Sequence, residues 1–275
     1  MRLSEAVARL RAADIPNATY EARLLFSHFG GLSQARLFGA DPECDSGLIE
    51  PPLRRREQHE PMAYILGEWG FYRETYLVSK DTLIPREDTE ILVDFAVRNL
   101  PEGGRFADLC TGSGCIALSV LNNTKKTTAL AADLSEGALS VARKNAERLG
   151  LSDRAQIVLA DVLSEDFLSY LAACEPWDAI LCNPPYISED VYRTLAPELF
   201  FEPQTALVGE EEGMAFYRIL IPALLPMLKP DGFLAFEIGY DQEARMRALA
   251  EKNACNIEVL TDLSGNSRVA VLRRD

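Results

Sequence analysis

Residues 177–186 read Trp-Asp-Ala-Ile-Leu-Cys-Asn-Pro-Pro-Tyr, an apolar run that leads into a proline-rich tip. A short run of this kind, bounded by prolines, is typical of a buried parallel strand that ends where the backbone can no longer pair. Each proline fixes its own φ and lacks an N–H, which makes the tip stiff. Ligands of open α/β sheets bind just beyond the carboxyl ends of the strands. The stretch therefore predicts a parallel sheet with a binding site at this tip.

The tip, Asn183-Pro184-Pro185-Tyr186, presents a side-chain amide, backbone carbonyls without a ladder partner and an aromatic ring. These groups suit a planar amide or amine, because two acceptor oxygens can bind its N–H groups while the ring covers its face. The competing structural interpretation is a loop in which Asn183 forms an Asx-turn and Tyr186 packs on the surface. We favour a binding role because all four residues directly follow a buried strand.

Strands and helices alternate on both sides of the tip. Strands are predicted at residues 105–109, 127–132, 156–159, 179–182, 233–238, 257–261 and 268–272. Helices are predicted at residues 115–121, from the Ser135 cap to the Gly150 stop, and at residues 214–228. Repeated βα units predict an α/β fold with a doubly wound, seven-stranded, mostly parallel sheet. The short final connection predicts that the last strand is antiparallel.

The N-terminal part of the chain shows a different pattern. Apolar residues at helical spacing predict helices at residues 3–10, 22–29, 33–38 and 53–59. Residues 1–61 are therefore expected to form a small N-terminal helical domain, either for substrate docking or as a structural cap. Residues 62–84 are rich in aromatic residues and predict a hairpin or linker rather than a helix. Residues 85–275 complete the sheet domain, beginning with a helix whose acidic first turn follows Pro85.

Length and composition indicate an ordinary globular chain, long enough for two units. The chain has 275 residues, of which 48% are hydrophobic and 25% are charged. No apolar run approaches the roughly 20 residues that span a bilayer, and the charged N-terminus lacks the apolar centre of a signal peptide. The six cysteines form no C-x-x-C pair and only two histidines are present, which argues against a metal site. We expect a cytoplasmic protein with reduced cysteines.

The formal net charge of -14 argues against nucleic acid as the direct substrate. Proteins that bind nucleic acid neutralise its phosphates with clustered lysines and arginines. The dense basic cluster Arg54-Arg55-Arg56 is followed by Glu57 and is typical of a solvated helix face. The acidity of the chain is compatible with a basic protein partner.

A glycine-rich loop follows the first predicted strand of the sheet. Residues 112–117, Gly-Ser-Gly-Cys-Ile-Ala, fit the pattern G-x-G-x-x-A between a strand and a helix, where a ligand can approach the backbone. Asp133 ends the next strand and can accept hydrogen bonds from both hydroxyls of a ribose. These features fit NAD as well as S-adenosylmethionine, because both carry an adenine ribose.

Three further features favour S-adenosylmethionine. Asp161 ends the third strand and can accept a hydrogen bond from the adenine amino group, with Val162 against the ring. The fourth strand ends in the amide-binding tip, where an oxidoreductase requires an acid, a base or a hydride-positioning group. Neither histidine lies near that region, and methyl transfer requires in-line positioning rather than acid–base groups.

Longer motifs resemble those of one family of methyltransferases. The matching stretches are residues 61–71 (PMAYILGEWGF), 82–90 (TLIPREDTE), 108–114, 183–187, 201–207, 236–242 and 262–268. With these motifs the chain resembles the class I S-adenosylmethionine-dependent methyltransferases and, within them, the release factor glutamine methyltransferases (the PrmC or HemK family). The TLIPR stretch is restrictive, whereas Asn-Pro-Pro-Tyr alone is shared with methyltransferases that act on amino groups of DNA and RNA.

The resemblance implies methylation of the side-chain amide nitrogen (N5) of the glutamine in the Gly-Gly-Gln motif of class I peptide chain release factors. S-adenosyl-L-methionine is then the methyl donor and S-adenosyl-L-homocysteine the product. The expected cofactor-binding residues are Cys110, Thr111, Gly112, Ser113, Gly114, Asp133, Asp161, Val162 and Asn183. The expected catalytic residues are Asn183, Pro184, Pro185 and Tyr186. At Phe200 some relatives are expected to have a polar or basic residue, which leaves the substrate contacts there open.

Several alternatives stay open at this point. A methyltransferase for an amino group of DNA or RNA uses the same tip but requires a basic groove. A methyltransferase for a glutamine of a ribosomal protein has the same catalytic parts, and only the N-terminal module distinguishes the two. A third alternative is a cofactor-sensing or assembly protein that keeps the fold but has no catalytic turnover. An NAD oxidoreductase is disfavoured, because the acid, base or hydride-positioning group that it requires is missing at this strand end. Also open is whether Glu90, Glu202 and Glu237 contact a ligand or only cap and pair.

Overall fold

A seven-stranded sheet occupies the larger of the two units into which the chain divides. The computed structural model describes residues 1–39, 41–174 and 176–274. One unit comprises Met1–Glu68 with Ala196–Phe201, and the other comprises the rest of the chain. The strands are β1 (Glu68–Phe71), β2 (Glu74–Leu77), β3 (Arg105–Leu109), β4 (Thr128–Asp133), β5 (Ala155–Leu159), β6 (Trp177–Cys182), β7 (Leu228–Glu237), β8 (Cys255–Thr261) and β9 (Ser267–Arg274).

The large sheet has the strand order β5-β4-β3-β6-β7-β9-β8, and β1 and β2 pair separately as a hairpin. The neighbouring pairs β5–β4, β4–β3, β3–β6 and β6–β7 are all parallel. Strand β9 is antiparallel to both of its neighbours, β7 and β8. The predicted doubly wound, mostly parallel α/β sheet is therefore confirmed, together with its antiparallel last strand.

Helices flank the sheet and make up most of the smaller unit. The smaller unit contains helices Leu3–Ala12, Ala18–His28, Gln34–Leu37, Ser46–Glu57 and Met62–Leu66 and the 3₁₀ turn Pro197–Phe201. The larger unit contains helices Glu90–Asn99, Cys115–Asn122, Glu136–Arg148, Glu165–Ala173, Glu189–Tyr192, Ala215–Leu224 and Glu243–Lys252, and 3₁₀ turns Glu87–Thr89, Gln204–Ala206 and Leu225–Met227. Within the described residues, no helix is long and apolar enough to cross a membrane.

One N-terminal helix begins earlier than the sequence indicates. Ser46–Glu57 contains Pro51 and Pro52, and the prediction of a helix only from Leu53 onwards is wrong. A proline removes one N–H and clashes with the preceding turn, so a proline pair inside a helix is unfavourable on local grounds. Here Asp45 caps the helix by accepting a hydrogen bond from the Gly47 N–H at 2.8 Å, and tertiary packing buries Pro52.

Four further helices were missing from the sequence interpretation, namely Met62–Leu66, Glu165–Ala173, Glu189–Tyr192 and Glu243–Lys252. Met62–Leu66 is helical although residues 62–84 were predicted as hairpin or linker, and the hairpin begins only after Gly67. Gly67 ends this short helix with a φ of 77°, a left-handed conformation that glycine adopts at low cost. Half of the residues in helix Glu243–Lys252 are charged and few are buried, so its apolar periodicity is weak.

The strand before the tip is buried on both faces of the sheet. Ala179 and Leu181 belong to the hydrophobic cluster on one face, and Ile180 and Cys182 to the cluster on the other. Cys182 pairs with Leu109 of β3 and with Phe236 of β7. Strands β3, β6 and β7 therefore end side by side, and the loops that follow them meet at one edge of the sheet.

Candidate active site

A cavity of about 420 Å³ opens at the carboxyl ends of the parallel strands of the larger unit. The expected site residues that line it are Cys110, Thr111, Gly112, Ser113, Asp133, Asp161, Val162, Asn183 and Pro185. Three expected site residues, Gly114, Pro184 and Tyr186, are not among the residues that line the cavity. The structure thus brings loops after β3, β4, β5 and β6 to one cavity.

The loop after β3 has an unusual backbone. Cys110, Gly112 and Gly114 all have positive φ, at 61°, 57° and 81°. A Cβ on Gly114 would lie 3.0 Å from Leu118 Cδ1, so this glycine is required for close packing of the loop on the following helix. Cys110 adopts the left-handed conformation without being glycine, which costs on the order of 1 kcal/mol.

Asp108, at the end of β3, holds this loop from beneath. It is fully buried, and its Oδ2 accepts hydrogen bonds from the Thr111 hydroxyl at 2.5 Å and the Ala117 N–H at 3.1 Å. Burial raises the pKa of its carboxyl to about 7. The Asp108 Oδ1 atom and the Ser113 hydroxyl oxygen are buried without a hydrogen-bond partner among the described residues.

Asp133 connects the loop after β3 with the loop after β4. Its Oδ2 accepts a hydrogen bond from the Gly112 N–H at 2.8 Å, and its Oδ1 accepts one from the Ser135 N–H at 2.9 Å. Burial raises the pKa of this carboxyl as well. Since each carboxylate oxygen has a second lone pair, Asp133 can still accept hydrogen bonds from a ligand in the cavity.

Asp161 and Val162 form the wall contributed by the loop after β5. Asp161 is exposed, and its Oδ1 accepts a hydrogen bond from the Leu163 N–H at 2.9 Å. Val162 is buried and presents an apolar surface to the cavity. This pairing of an exposed acceptor with an apolar side chain suits a flat ring that carries an amino group.

The Asn-Pro-Pro-Tyr tip is fixed through its backbone. The Gly209 N–H donates to the Ile187 carbonyl at 2.9 Å, and the Gln242 side-chain amide donates to the Tyr186 carbonyl at 3.3 Å. A Cβ on Gly209 would lie 2.2 Å from the Pro185 carbonyl oxygen. The turn that contains Gly209 therefore packs directly against the tip, and the chain there requires a residue without a side chain.

A buried carboxylate, Glu237 at the end of β7, contacts the tip from the protein side. Its Oε1 accepts a hydrogen bond from the Tyr186 hydroxyl at 3.0 Å, and its Oε2 accepts one from the Thr89 hydroxyl at 2.5 Å. The Asn183 Nδ2 group in turn lies 3.4 Å from Thr89 Oγ1. Sequence reasoning missed Thr89 and left Glu237 open, although both lie inside the quoted family motifs.

Charges around Glu237 act in opposite directions. Burial raises the pKa of its carboxyl, the Asp88 carboxylate raises it further, and the Arg268 guanidinium lowers it. Arg268 is held by Asp262 at 2.9 Å and Asp88 at 3.2 Å. The pKa of Tyr186 is raised by burial and by the adjacent Glu237 carboxylate, so the phenol is neutral and donates its proton.

The two other glutamates left open by the sequence have partners within the protein. Glu202 Oε2 accepts a hydrogen bond from the Ile84 N–H at 2.9 Å, and its other oxygen pairs with Arg86. Glu90 Oε1 accepts a hydrogen bond from the Tyr72 N–H at 2.7 Å. Glu202 therefore fixes the Thr82–Arg86 stretch at the rim of the cavity. In the part of the chain that the structure describes, no group of three or more acidic, cysteine or histidine residues is arranged to hold a metal ion.

Comparison with known proteins identifies two sequence families within the chain. Residues 2–67 match the PrmC N-terminal domain, and residues 87–213 match the methyltransferase small domain. The release factor glutamine methyltransferase of Rhodospirillum rubrum is 39% identical over 97% of this chain and 82% of the relative. That of Caulobacter vibrioides is 36% identical over 96% of this chain and 92% of the relative.

A solved structure shares the fold of the larger part of the chain. The ribosomal protein L11 methylase from Lactobacillus delbrueckii subsp. bulgaricus aligns with a TM-score of 0.51 over 72% of this chain and 84% of that protein. The two sequences are 21% identical, so this likeness concerns the fold alone. The sheet and its flanking helices thus share the fold of that methylase.

Proposed function

Since the chain belongs to the release factor glutamine methyltransferase family, we propose that it methylates the side-chain amide nitrogen (N5) of the glutamine in the Gly-Gly-Gln motif of class I peptide chain release factors. The methyl donor in this proposal is S-adenosyl-L-methionine, and the product is S-adenosyl-L-homocysteine. The observation that carries the proposal is the Asn-Pro-Pro-Tyr tip, which places Asn183 at the edge of the cavity.

The cavity fits S-adenosylmethionine in size and in chemistry. Its volume of about 420 Å³ lies within the usual range of small-molecule sites. Asp133 has free lone pairs for ribose hydroxyls, and Val162 offers an apolar surface for adenine.

The chemistry that the cofactor supplies is a methyl group on a positively charged sulfur. An amide nitrogen is a poor nucleophile, because its lone pair is delocalised into the carbonyl group. In our proposal the Asn183 Oδ1 atom and the Pro184 carbonyl accept hydrogen bonds from the two N–H groups of the glutamine amide. These contacts fix the nitrogen toward the methyl group and raise its electron density.

Proton loss requires no dedicated base in this scheme. The new N–C bond forms as the S–C bond breaks, and the methylated nitrogen is then acidic and releases one proton to water. Tyr186, fixed by its hydrogen bond to Glu237, holds the plane of the amide. The protein thus contributes orientation and charge complementarity, which are the main requirements of methyl transfer.

The remaining expectations from the sequence extend this proposal. We assign substrate docking to the N-terminal helical domain at residues 1–61, a linker to residues 62–84 and catalysis to residues 85–275. The acidic net charge of -14 suits a basic protein substrate better than nucleic acid. A release factor substrate places the protein in the cytoplasm.

A labelling experiment tests the proposed function. Purified protein is incubated with methyl-labelled S-adenosylmethionine and either a class I release factor or its variant with Gly-Gly-Ala in place of Gly-Gly-Gln. We expect label in the first protein and none in the second. Equal labelling of both would show that another residue is the acceptor. Label in neither, with cofactor binding intact, would overturn the release factor as substrate.

A further inference from the structure

We propose that Thr89 is a positioning residue that determines which end of the Asn183 side-chain amide faces the acceptor, and that Glu237 fixes the Thr89 hydroxyl for this purpose. The inference deepens the proposed function and rests on it. It assigns a role to Thr89, which lines the cavity, and to Glu237, which contacts the tip from the protein side, and neither binds the glutamine itself in this proposal.

The direction of each hydrogen bond follows from the chemistry of the carboxylate. Each oxygen of Glu237 faces a hydroxyl group and accepts its proton, Oε1 from Tyr186 and Oε2 from Thr89. The Thr89 hydroxyl therefore donates its single proton to Glu237 Oε2, at 2.5 Å. Its oxygen lone pairs are left to accept from a neighbour, and that neighbour is the Asn183 side chain at 3.4 Å.

This arrangement selects one of the two possible orientations of the Asn183 amide. The NH₂ end of the side chain faces the Thr89 oxygen, because only that end can donate. The Oδ1 end then faces away from Thr89 and is available as an acceptor. If the Asn183 amide were reversed, its NH₂ group would face the N–H groups of the substrate glutamine. Donors would then face donors, and the glutamine amide would have no hydrogen-bond acceptor at Asn183.

Burial keeps the arrangement intact. Thr89 and Glu237 are each 2% exposed, so water does not compete for their hydrogen bonds. The second oxygen of Glu237 is occupied by the Tyr186 hydroxyl. One carboxylate therefore orients two groups of the tip, the Tyr186 ring directly and the Asn183 amide through Thr89.

Two variants of Thr89 separate this role from simple packing. Thr89→Val has nearly the same shape without the hydroxyl, and Thr89→Ser keeps the hydroxyl without the methyl group. We expect kcat on the release factor to fall on the order of 10- to 100-fold in Thr89→Val, as for loss of other partners that orient a contacting residue. We expect Thr89→Ser to keep most of kcat, although it loses more packing than Thr89→Val.

Binding measurements and a matched control complete the test. The affinity for S-adenosylhomocysteine, measured by calorimetry, is expected to stay within about twofold in both variants. Thr127→Val is the control, because Thr127 is fully buried and its hydroxyl donates to the Lys125 carbonyl at 3.3 Å, away from the cavity. Its kcat is expected to match the wild type.

The outcomes distinguish this inference from the proposed function. Wild-type protein that labels the Gly-Gly-Gln glutamine, together with a Thr89→Val variant of unchanged kcat, would overturn the inference and leave the function standing. Equal losses of kcat in Thr89→Val and Thr89→Ser would also overturn it, since the hydroxyl would then be irrelevant. Wild-type protein that labels no glutamine would overturn both.

Discussion

The Asn183 side-chain amide is the group on which acceptor binding depends most directly. It lines the cavity together with Pro185, whereas Tyr186 is fixed by Glu237. Its oxygen is one of two acceptors proposed for the glutamine N–H groups. Removing it should therefore affect the transfer step and leave the cofactor cavity largely unchanged.

We expect Asn183→Ala to reduce kcat on the order of 100- to 1000-fold, as for loss of one preorganised hydrogen-bonding group at a reaction centre. The affinity for S-adenosylhomocysteine should change much less, since the loops after β3, β4 and β5 are untouched. Turnover assays and calorimetry measure the two quantities. Equal losses in both would argue that Asn183 mainly supports the cavity.

A second residue with a measurable signature is Asp108, whose pKa burial raises from 3.8 to about 7. The folded protein therefore binds this proton more tightly than the unfolded chain does. Its contribution to the free energy of unfolding is full at low pH and is lost as pH rises from about 4 to about 7.

Comparison of the wild type with Asp108→Asn isolates this contribution. The difference in the free energy of unfolding, wild type minus variant, should fall across that pH range by an amount on the order of 4 kcal/mol at most. Denaturant titrations at several pH values measure it. A difference that does not vary with pH would mean that the pKa of Asp108 is the same in the folded and the unfolded protein.

At the scale of elements, the turn Glu210–Gly213 supports the tip. Glu211 and Glu212 both have positive φ, at 53° and 54°, although neither is glycine. Two such residues in succession are strained and persist only where the surroundings determine the conformation. This turn conformation brings Gly213 close to the Tyr186 carbonyl group. A Cβ on Gly213 would lie 1.9 Å from the Tyr186 carbonyl oxygen.

Gly213→Ala should therefore displace the tip and lower the free energy of unfolding by more than about 2 kcal/mol. Turnover should fall with it, because Tyr186 and Asn183 belong to the displaced segment. The matched control is Gly70→Ala in β1, where a Cβ meets nothing within 4 Å and φ is not positive. Wild-type turnover in Gly213→Ala would disprove the proposed support.

The strands and the tip could be predicted from the sequence, because strands that are buried on both faces of the sheet consist of continuous apolar runs. Residues 105–109 form a strand as predicted, and the tip follows β6 as expected. The hydrogen bond between Thr89 and Glu237 joins residues 148 positions apart, and no local pattern reports such a contact. The early start of the proline-containing helix Ser46–Glu57 was missed for a related reason, since tertiary packing overrides the local preference of its prolines.

At the scale of the whole molecule, the acidic charge has a consequence for substrate encounter. Because its net charge is -14, the protein attracts basic surfaces of other proteins, and salt weakens this attraction by screening the charges. We expect the KM for the release factor to rise as ionic strength increases from roughly 50 mM to roughly 300 mM. A KM independent of salt would show that charge does not contribute to docking.

The affinity for S-adenosylhomocysteine serves as the internal reference for this salt series. Its proposed contacts lie inside a cavity, where screening is weaker than at the surface. It should therefore vary less than KM over the same range. If both change in parallel, salt acts on the protein as a whole rather than on substrate encounter.

The position of β9 between β7 and β8 means that one side of β7 is covered only by the C-terminal hairpin. Strand β7 is made before β8 and β9, yet its neighbour in the sheet is β9, the later of the two. While the chain is synthesised, β7 is therefore an open edge that can pair with other chains until the β8–β9 hairpin docks. Glu237 lies at the end of that edge and pairs with Val269 of β9. Slow docking of the hairpin would therefore leave the β7 edge, with Glu237 at its end, open to pairing with other chains and would favour aggregation.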